Sequence, residues 1–282
     1  MRQPARSRRS HLPAQERRVP PLTASATSGV IAALRDGELE VLGRLVGSSN
    51  NAMVVRVHPP GTPLPVAARG SAAPAAIEKT DLLAVWKPTL GERPLFDFPL
   101  GTLTRREVAA YHLSEAFGWS IVPPTLLREG PYGEGMVQQW IDVDPEVDVV
   151  ALVTEDDPRL RRIAVFDAAL NNTDRKGGHL LPIEGGHLHA VDHGVTFSTV
   201  PKLRTLLWAW EGEPFDADEI AGLQRVQAAL RDPAAASLGG QLRELLAADE
   251  IEATRERVAA LLAEGRFPGP NPEWPAIPWP PF

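Results

Sequence analysis

Four charged side chains in this sequence stand where phosphoryl-transfer chemistry would use them. Lys87 closes the apolar run DLLAVWKP, which holds its ammonium at a strand end and partly desolvates it. Glu107 lies in TLTRREVAAYHLSEAFG, and its carboxylate can keep such a lysine charged and directed. Asp174 sits in ALNNTDRKGGHLL, a polar, turn-forming stretch between two apolar runs, where a carboxylate can accept the proton of an attacking hydroxyl. Asp192 follows the run HLHAV and opens Asp-His-Gly, and its hard oxygens suit Mg2+ beside a triphosphate. Upstream, Gly47, Ser48, Ser49 and Asn50 offer backbone N–H groups and hydroxyls to phosphate oxygens. Taken in chain order, these pieces meet the demands of ATP as a phosphoryl donor.

The elements that must position them follow from periodicity and turn chemistry. SGVIAALRDG predicts a short helix from Ser28, closed by Gly37. Two strand-like runs, 38–46 and 52–57, flank the glycine-containing turn and predict a hairpin. The strand ending at Lys87 is stopped by Pro88. Apolar residues at 103, 108, 109, 113, 116 and 117 predict an amphipathic helix that ends before Gly118. WSIVPPTLLRE and EGMVQQWIDV predict two further strands joined by GPYG. In the C-terminal half, DDPRLRRIAVFDAAL predicts a helix that starts at Asp157-Pro158 and runs into the Asp174 stretch. A hairpin turning at Glu184-Gly185-Gly186 then leads to Asp192, and the segments after Pro201 predict helices. The proline-rich FPGPNPEWPAIPWPPF excludes helix, but two of its tryptophans and a phenylalanine can pack on a groove.

The whole reads as an α+β protein of two lobes. The expected divisions are a disordered basic tail (1–27), a sheet-rich lobe with one helix (28–140), a lobe with the Asp174 loop, hairpin and helices (141–265), and a Pro/Trp-rich tail (266–282). A net charge of −7 argues against nonspecific nucleic-acid binding, so no nucleic-acid partner is expected. The absence of cysteine excludes disulfides, thiolate metal sites and cysteine nucleophiles, and suits the cytoplasm. The basic N-terminus has no apolar run behind it and so is no secretory signal, and no stretch has the length of a transmembrane helix.

VFDAALNNTDRKGGHLL followed by HAVDHGVTF resembles the catalytic and metal-binding loops of the phosphatidylinositol 3- and 4-kinase-like fold. The Asn-Thr-Asp-Arg core is most similar to type II phosphatidylinositol 4-kinases, and kinases of bacterial toxin–antitoxin modules share the architecture. Over about 30–275 the chain resembles an uncharacterised actinobacterial family related to phosphatidylinositol 3- and 4-kinases, through DFPLGTLTRREVAAYHLSEAFGW, VPPT, NNTDRKGGH and VDHG. The resemblance implies a two-lobed protein-kinase-like fold and an ATP-dependent phosphotransferase using Mg2+ or Mn2+. It leaves the acceptor open among a lipid headgroup, a small alcohol and a protein hydroxyl. By position it makes Asp174 the catalytic-loop aspartate, Lys87 the phosphate-contacting lysine, Glu107 its partner and Asp192 the metal aspartate. Gln139, Trp140 and Ile141 become the backbone hinge for adenine, and Asp167 an acidic residue of structural use. One departure stands out: where such loops place a metal-binding asparagine, this chain has His179. Imidazole is a poorer partner for Mg2+ than oxygen, so Mn2+ preference, a single-metal site, weakened catalysis and AMP transfer all stay open.

Other readings compete. A pseudokinase that binds nucleotide as a regulatory scaffold is favoured by His179. A metal hydrolase is suggested by His179, His187, His189, Asp192 and His193, because His187 and His189 share a strand face. Asp174 can equally be an Asx-turn residue, Lys87 an exposed strand end, and Glu107, after Arg105 and Arg106, part of a solvated charged face. The GSSNN stretch can be a tight turn alone, and Trp208 and Trp210 read as packing residues.

Overall fold

In the computed structural model, which describes residues 24–45, 51–64, 77–78 and 80–282, the apolar alternation of the N-terminal half becomes one antiparallel sheet. Its strands are β1 (Glu38–Arg44), β2 (Met53–His58), β3 (Leu82–Pro88), β4 (Thr125–Gly130) and β5 (Gly133–Gln139), ordered β1-β2-β3-β5-β4. β1 and β2 pair as a hairpin, with an irregularity in register between Val41 and Gly43. Gly47, Ser48, Ser49 and Asn50 at its tip, and residues 1–23, lie outside the described residues.

Strand period sets the two faces of the sheet. Along β3, Ala84, Trp86 and Pro88 are buried, whereas Leu83, Val85 and Lys87 are only half-buried. The Trp86 face packs with Leu39, Val55, Val57 and Val137 of the neighbouring strands and with Leu34 of α1 (Ala24–Asp36). That helix begins at Ala24, before the expected Ser28, and takes Gly29 into its interior. Room for the indole comes from Gly130 and Gly135: a Cβ at either would stand 2.5 and 2.9 Å from the ring, respectively. Lys87 is left to the opposite face.

α2 (Leu103–Phe117) ends where expected, at Gly118, whose φ of 72° is the left-handed C-cap. Its charged face is not solvated, contrary to the bland expectation. Arg106 and Glu107 are each 1% exposed, because both find opposite charges on other elements.

The C-terminal half begins with α3 (Val149–Thr154), which hydropathy did not signal but which Asp148 caps by accepting from the N–H groups of Val150 and Ala151. The expected helix from Asp157 opens instead as a single 3-10 turn, 158–160, before α4 (Arg161–Leu170). The β6 (Leu180–Pro182) and β7 (Leu188–Ala190) hairpin follows, then α5 (Ala217–Arg231), α6 (Leu238–Arg243) and α7 (Ala248–Glu264). A second core, including Phe117, Phe166, Phe197, Leu223 and Val258, binds these helices to the C-terminal end of α2. The architecture is therefore α+β, with two cores. Among the described residues no helix is long and apolar enough to cross a membrane.

Replacing the fully buried Trp86 tests the first core. Trp86→Ala is expected to lose about 3–5 kcal/mol in chemical denaturation. Trp86→Phe is expected to lose far less, since it also removes an indole N–H that is buried with no partner among the described residues.

Candidate active site

Lys87 enters from the end of β3 and meets two carboxylates. Its Nζ lies 2.6 Å from Glu107 Oε1 on α2 and 2.9 Å from Asp192 Oδ1 after β7. Burial works against the ammonium, but Asp192 and Glu107 together outweigh it and raise the lysine above its ordinary value. Burial raises Glu107, opposed by Lys87. The second Glu107 oxygen accepts from the His193 N–H at 2.8 Å, so α2 is tied to Asp-His-Gly directly. Asp192 is held below the usual carboxylate range, first by the charge on Lys87. Its side chain keeps 43% of its surface exposed, and its φ of 62° is a left-handed conformation that turns the chain sharply after the strand.

His179 approaches the other side of Asp192, Nε2 to Oδ2 at 3.3 Å. Burial lowers its pKa below the ordinary histidine value, opposed by the charge on Asp192. Lys87, Glu107, Asp192 and His179, from four separate stretches of sequence, thus form one continuous cluster.

Asp174 lies on the loop after α4. Its Oδ2 is 3.2 Å from Lys176 Nζ and its Oδ1 is 3.5 Å from Arg204 NH2. Its N–H donates to Asn172 Oδ1 at 3.0 Å, so the Asx turn exists one residue pair earlier and Asp174 itself is free of that duty. Asp174, Asp192, Thr173, Lys202, Arg204 and Trp274 line a common cavity of about 400 Å3.

The loop's shape rests on a buried pair. Arg175 and Asp167 are both fully buried and joined by two bonds, Nε to Oδ2 at 2.9 Å and NH2 to Oδ1 at 2.8 Å. Asp167 also accepts from Asn172 Nδ2 at 2.9 Å, and Arg175 reaches Val191 O and His193 Nε2. The side chain after Asp174 is therefore an internal brace between α4, the loop and Asp-His-Gly. Arg106 adds a second brace, donating to Thr196 O at 2.7 Å and pairing with Glu250 of α7. Lys202 pairs with Asp97 at 2.5 Å. The sequence reading missed Arg106, Arg175, Lys176, Lys202 and Arg204. A basic residue beside other charged or turn residues reads as a surface charge until its buried partner is known.

Two expectations change. The N–H groups of Gln139 and Trp140 are committed to Pro124 O and Leu83 O, so neither can donate to a ligand. The Ile141 N–H has no partner among the described residues and stays available. The histidine cluster does not converge: His187 Nε2 is 2.9 Å from Ser120 O, and His189 Nδ1 is 3.2 Å from Ile121 O. These two rings meet edge to face and fasten β7 to the segment before β4. Among the described residues, no three His, Asp or Glu side chains are arranged to hold a metal by themselves.

Breaking the buried pair on one side, as in Arg175→Met, is expected to cost about 3–5 kcal/mol in urea denaturation, and the double change with Asp167→Leu clearly less than the sum. A pH series gives a second check. Burial depresses His112 and His189 to about 4. Their neutral rings favour the folded state fully above the unfolded value near 6.5, and that advantage fades as the pH falls from there toward 4. The expected slope is about 1.4 kcal/mol per pH unit for each histidine, and His189→Gln should remove one such increment.

No family model matches the chain. The fold is similar to the crystal structure of the Helicobacter pylori proinflammatory kinase CtkA, at a TM-score of 0.44 and 11% identity, covering 83% of this chain and 94% of that one. Protein Rv2133c of Mycobacterium tuberculosis is 38% identical over 286 residues, covering 89% of this chain and 95% of the relative, and the chain belongs to its family.

Proposed function

We infer that this protein is an ATP-dependent phosphotransferase of the phosphatidylinositol 3-/4-kinase-like type. The observation behind this reading is the Lys87 ammonium shared between Glu107 and Asp192 at the foot of an antiparallel sheet. A buried lysine held charged by one fixed carboxylate and one partly exposed carboxylate is suited to phosphate. With nucleotide bound, Glu107 would keep the lysine in place, and the partly exposed Asp192 would be the carboxylate to hold a cation.

The donor set fits a divalent ion. Asp192 Oδ2 and His179 Nε2 stand 3.3 Å apart. Adjacent ligands of an octahedral ion, each about 2.1 Å from it, span about 3 Å. Two protein donors with phosphate oxygens and waters are the usual complement for such an ion beside a triphosphate. Asp192 and His179 would hold it, and when bound it supplies neutralisation of the phosphate charge. The imidazole donor favours Mn2+ over Mg2+.

The remaining residues divide the other tasks. Asp174 faces the cavity beside Asp192 and accepts the proton of the acceptor hydroxyl. Lys176 and Arg204 flank its two oxygens and stabilise negative charge on the group in transfer. The Ile141 N–H donates to adenine at the edge of the sheet. A second reading, a pseudokinase that binds nucleotide without turnover, is favoured by His179 in the position beside Asp192.

ATP binding and turnover by the purified protein with Mg2+ or Mn2+ separate the two. The expected result is turnover that Asp174→Asn lowers by about 10²–10⁴ with nucleotide binding retained, and that Asp192→Ala abolishes along with metal-dependent binding. Binding without turnover establishes the pseudokinase, and absence of nucleotide binding overturns both.

A further inference from the structure

The proline-rich end of the chain takes a fixed course across the C-terminal lobe. Phe267 is buried, and its backbone pairs with Gly212 and Glu213. Asn271 Nδ2 donates to Pro201 O at 2.8 Å. Ala276 O then accepts from the Thr205 N–H and the Trp208 indole, each at 3.0 Å. Between these anchors Trp274 lines the Asp174 cavity, with Lys202 Nζ 5.8 Å from its ring centre. Trp279, expected to pack, is instead 86% exposed.

Past Trp279 the chain reaches the loop that holds Asp174 and His179. The Gly177 N–H donates to Pro281 O at 2.9 Å. The Phe282 ring occupies the space a side chain at 177 would need: a Cβ built there stands 2.1 Å from Phe282 Cδ1. Gly177 is followed directly by a second glycine, Gly178. Neither glycine has a positive φ, and Gly178 has open space around its Cβ position. A side chain at Gly177 would meet the Phe282 ring, itself 50% exposed, so the constraint there is close approach and not conformation.

We propose that residues 266–282 form a strap that is a working part of the active site, with Pro281 and Phe282 acting as positioning residues that fix the 171–179 loop at Gly177. Gly177 lies midway between Asp174 and His179. A contact there acts on the spacing of both side chains without touching either of them. The effect on turnover rests on the phosphotransferase reading, whereas the effect on the loop does not.

The test uses the full-length protein and its Phe282→Ala, Phe282→Tyr, Gly177→Ala and Phe282→Ala/Gly177→Ala variants. It reads hydrogen exchange over 171–180, ATP affinity and ATP turnover. Phe282→Ala is expected to speed exchange in this segment and to lower turnover about tenfold or more, with ATP affinity unchanged. Phe282→Tyr should restore both. Gly177→Ala alone should act like Phe282→Ala, yet add little once Phe282 is already alanine. Exchange unchanged by Phe282→Ala, turnover that rises, or additive effects of the two changes would each overturn the proposal. If wild-type protein turns over no ATP, the phosphotransferase reading fails and the exchange data with the double-variant comparison still decide the strap.

Discussion

A lysine ammonium held between two carboxylates is the constraint around which this molecule is organised. Lys87 comes from the sheet, Glu107 from the helix beside it, and Asp192 from the turn after the second hairpin. Burial works against the lysine's charge, and Asp192 and Glu107 together outweigh it. The two cores each deliver one side of this contact. The Trp86 face anchors β3 against α1, which leaves Lys87 on the opposite face, and the Phe166 core fixes α4, which leads into the Asp174 loop, and the β6–β7 hairpin, which leads to Asp192. The carboxylates are unequal. Glu107 is buried and doubly bonded, and Asp192 keeps an exposed edge toward the cavity and His179. One is built to stay and the other to exchange partners.

Around that contact, irregular backbone is held by charge and by polar satisfaction rather than by secondary structure. Residues 171–176 lie in no helix or strand, and their backbone bonds run to Asp167, Ala168, Val195 and Arg204. They are fixed by Asp167 and Arg175, by the Asn171 side chain donating to Ser198 and Val200 carbonyls, and by Arg204 Nε donating to Thr173 O. Such a buried network is expensive to disturb, because each lost partner leaves a desolvated group behind. The same logic explains why α2 carries two buried charges in succession. Arg106 points to α7 and the 196 carbonyl, and Glu107 points to Lys87, so the helix registers the lobes on both sides.

Much of this was legible in the sequence where the signal was local. Strand alternation placed Lys87 at a strand end, the glycine after Phe117 closed α2 where expected, and the Asp174 stretch is a loop between a helix and a hairpin. What stayed hidden depends on contacts between residues distant in the chain. Nothing near Arg175 in sequence shows that its guanidinium turns inward to Asp167, and nothing near Gly177 shows a phenylalanine from the end of the chain lying against it. The Gln139 and Trp140 amides looked available because their acceptors, at Pro124 and Leu83, belong to other segments. The histidines at 187 and 189 looked like a metal pair for the same reason, since strand spacing gives the shared face but not the carbonyls that occupy their nitrogens.

The most direct test of the account is a crystal structure with a non-hydrolysable ATP analogue and Mn2+. The account predicts the phosphates at Lys87, the cation bound by Asp192 and His179, and Glu107 still paired with Lys87. Nucleotide bound elsewhere, or a cation that leaves the Lys87–Asp192 pair untouched, would contradict it.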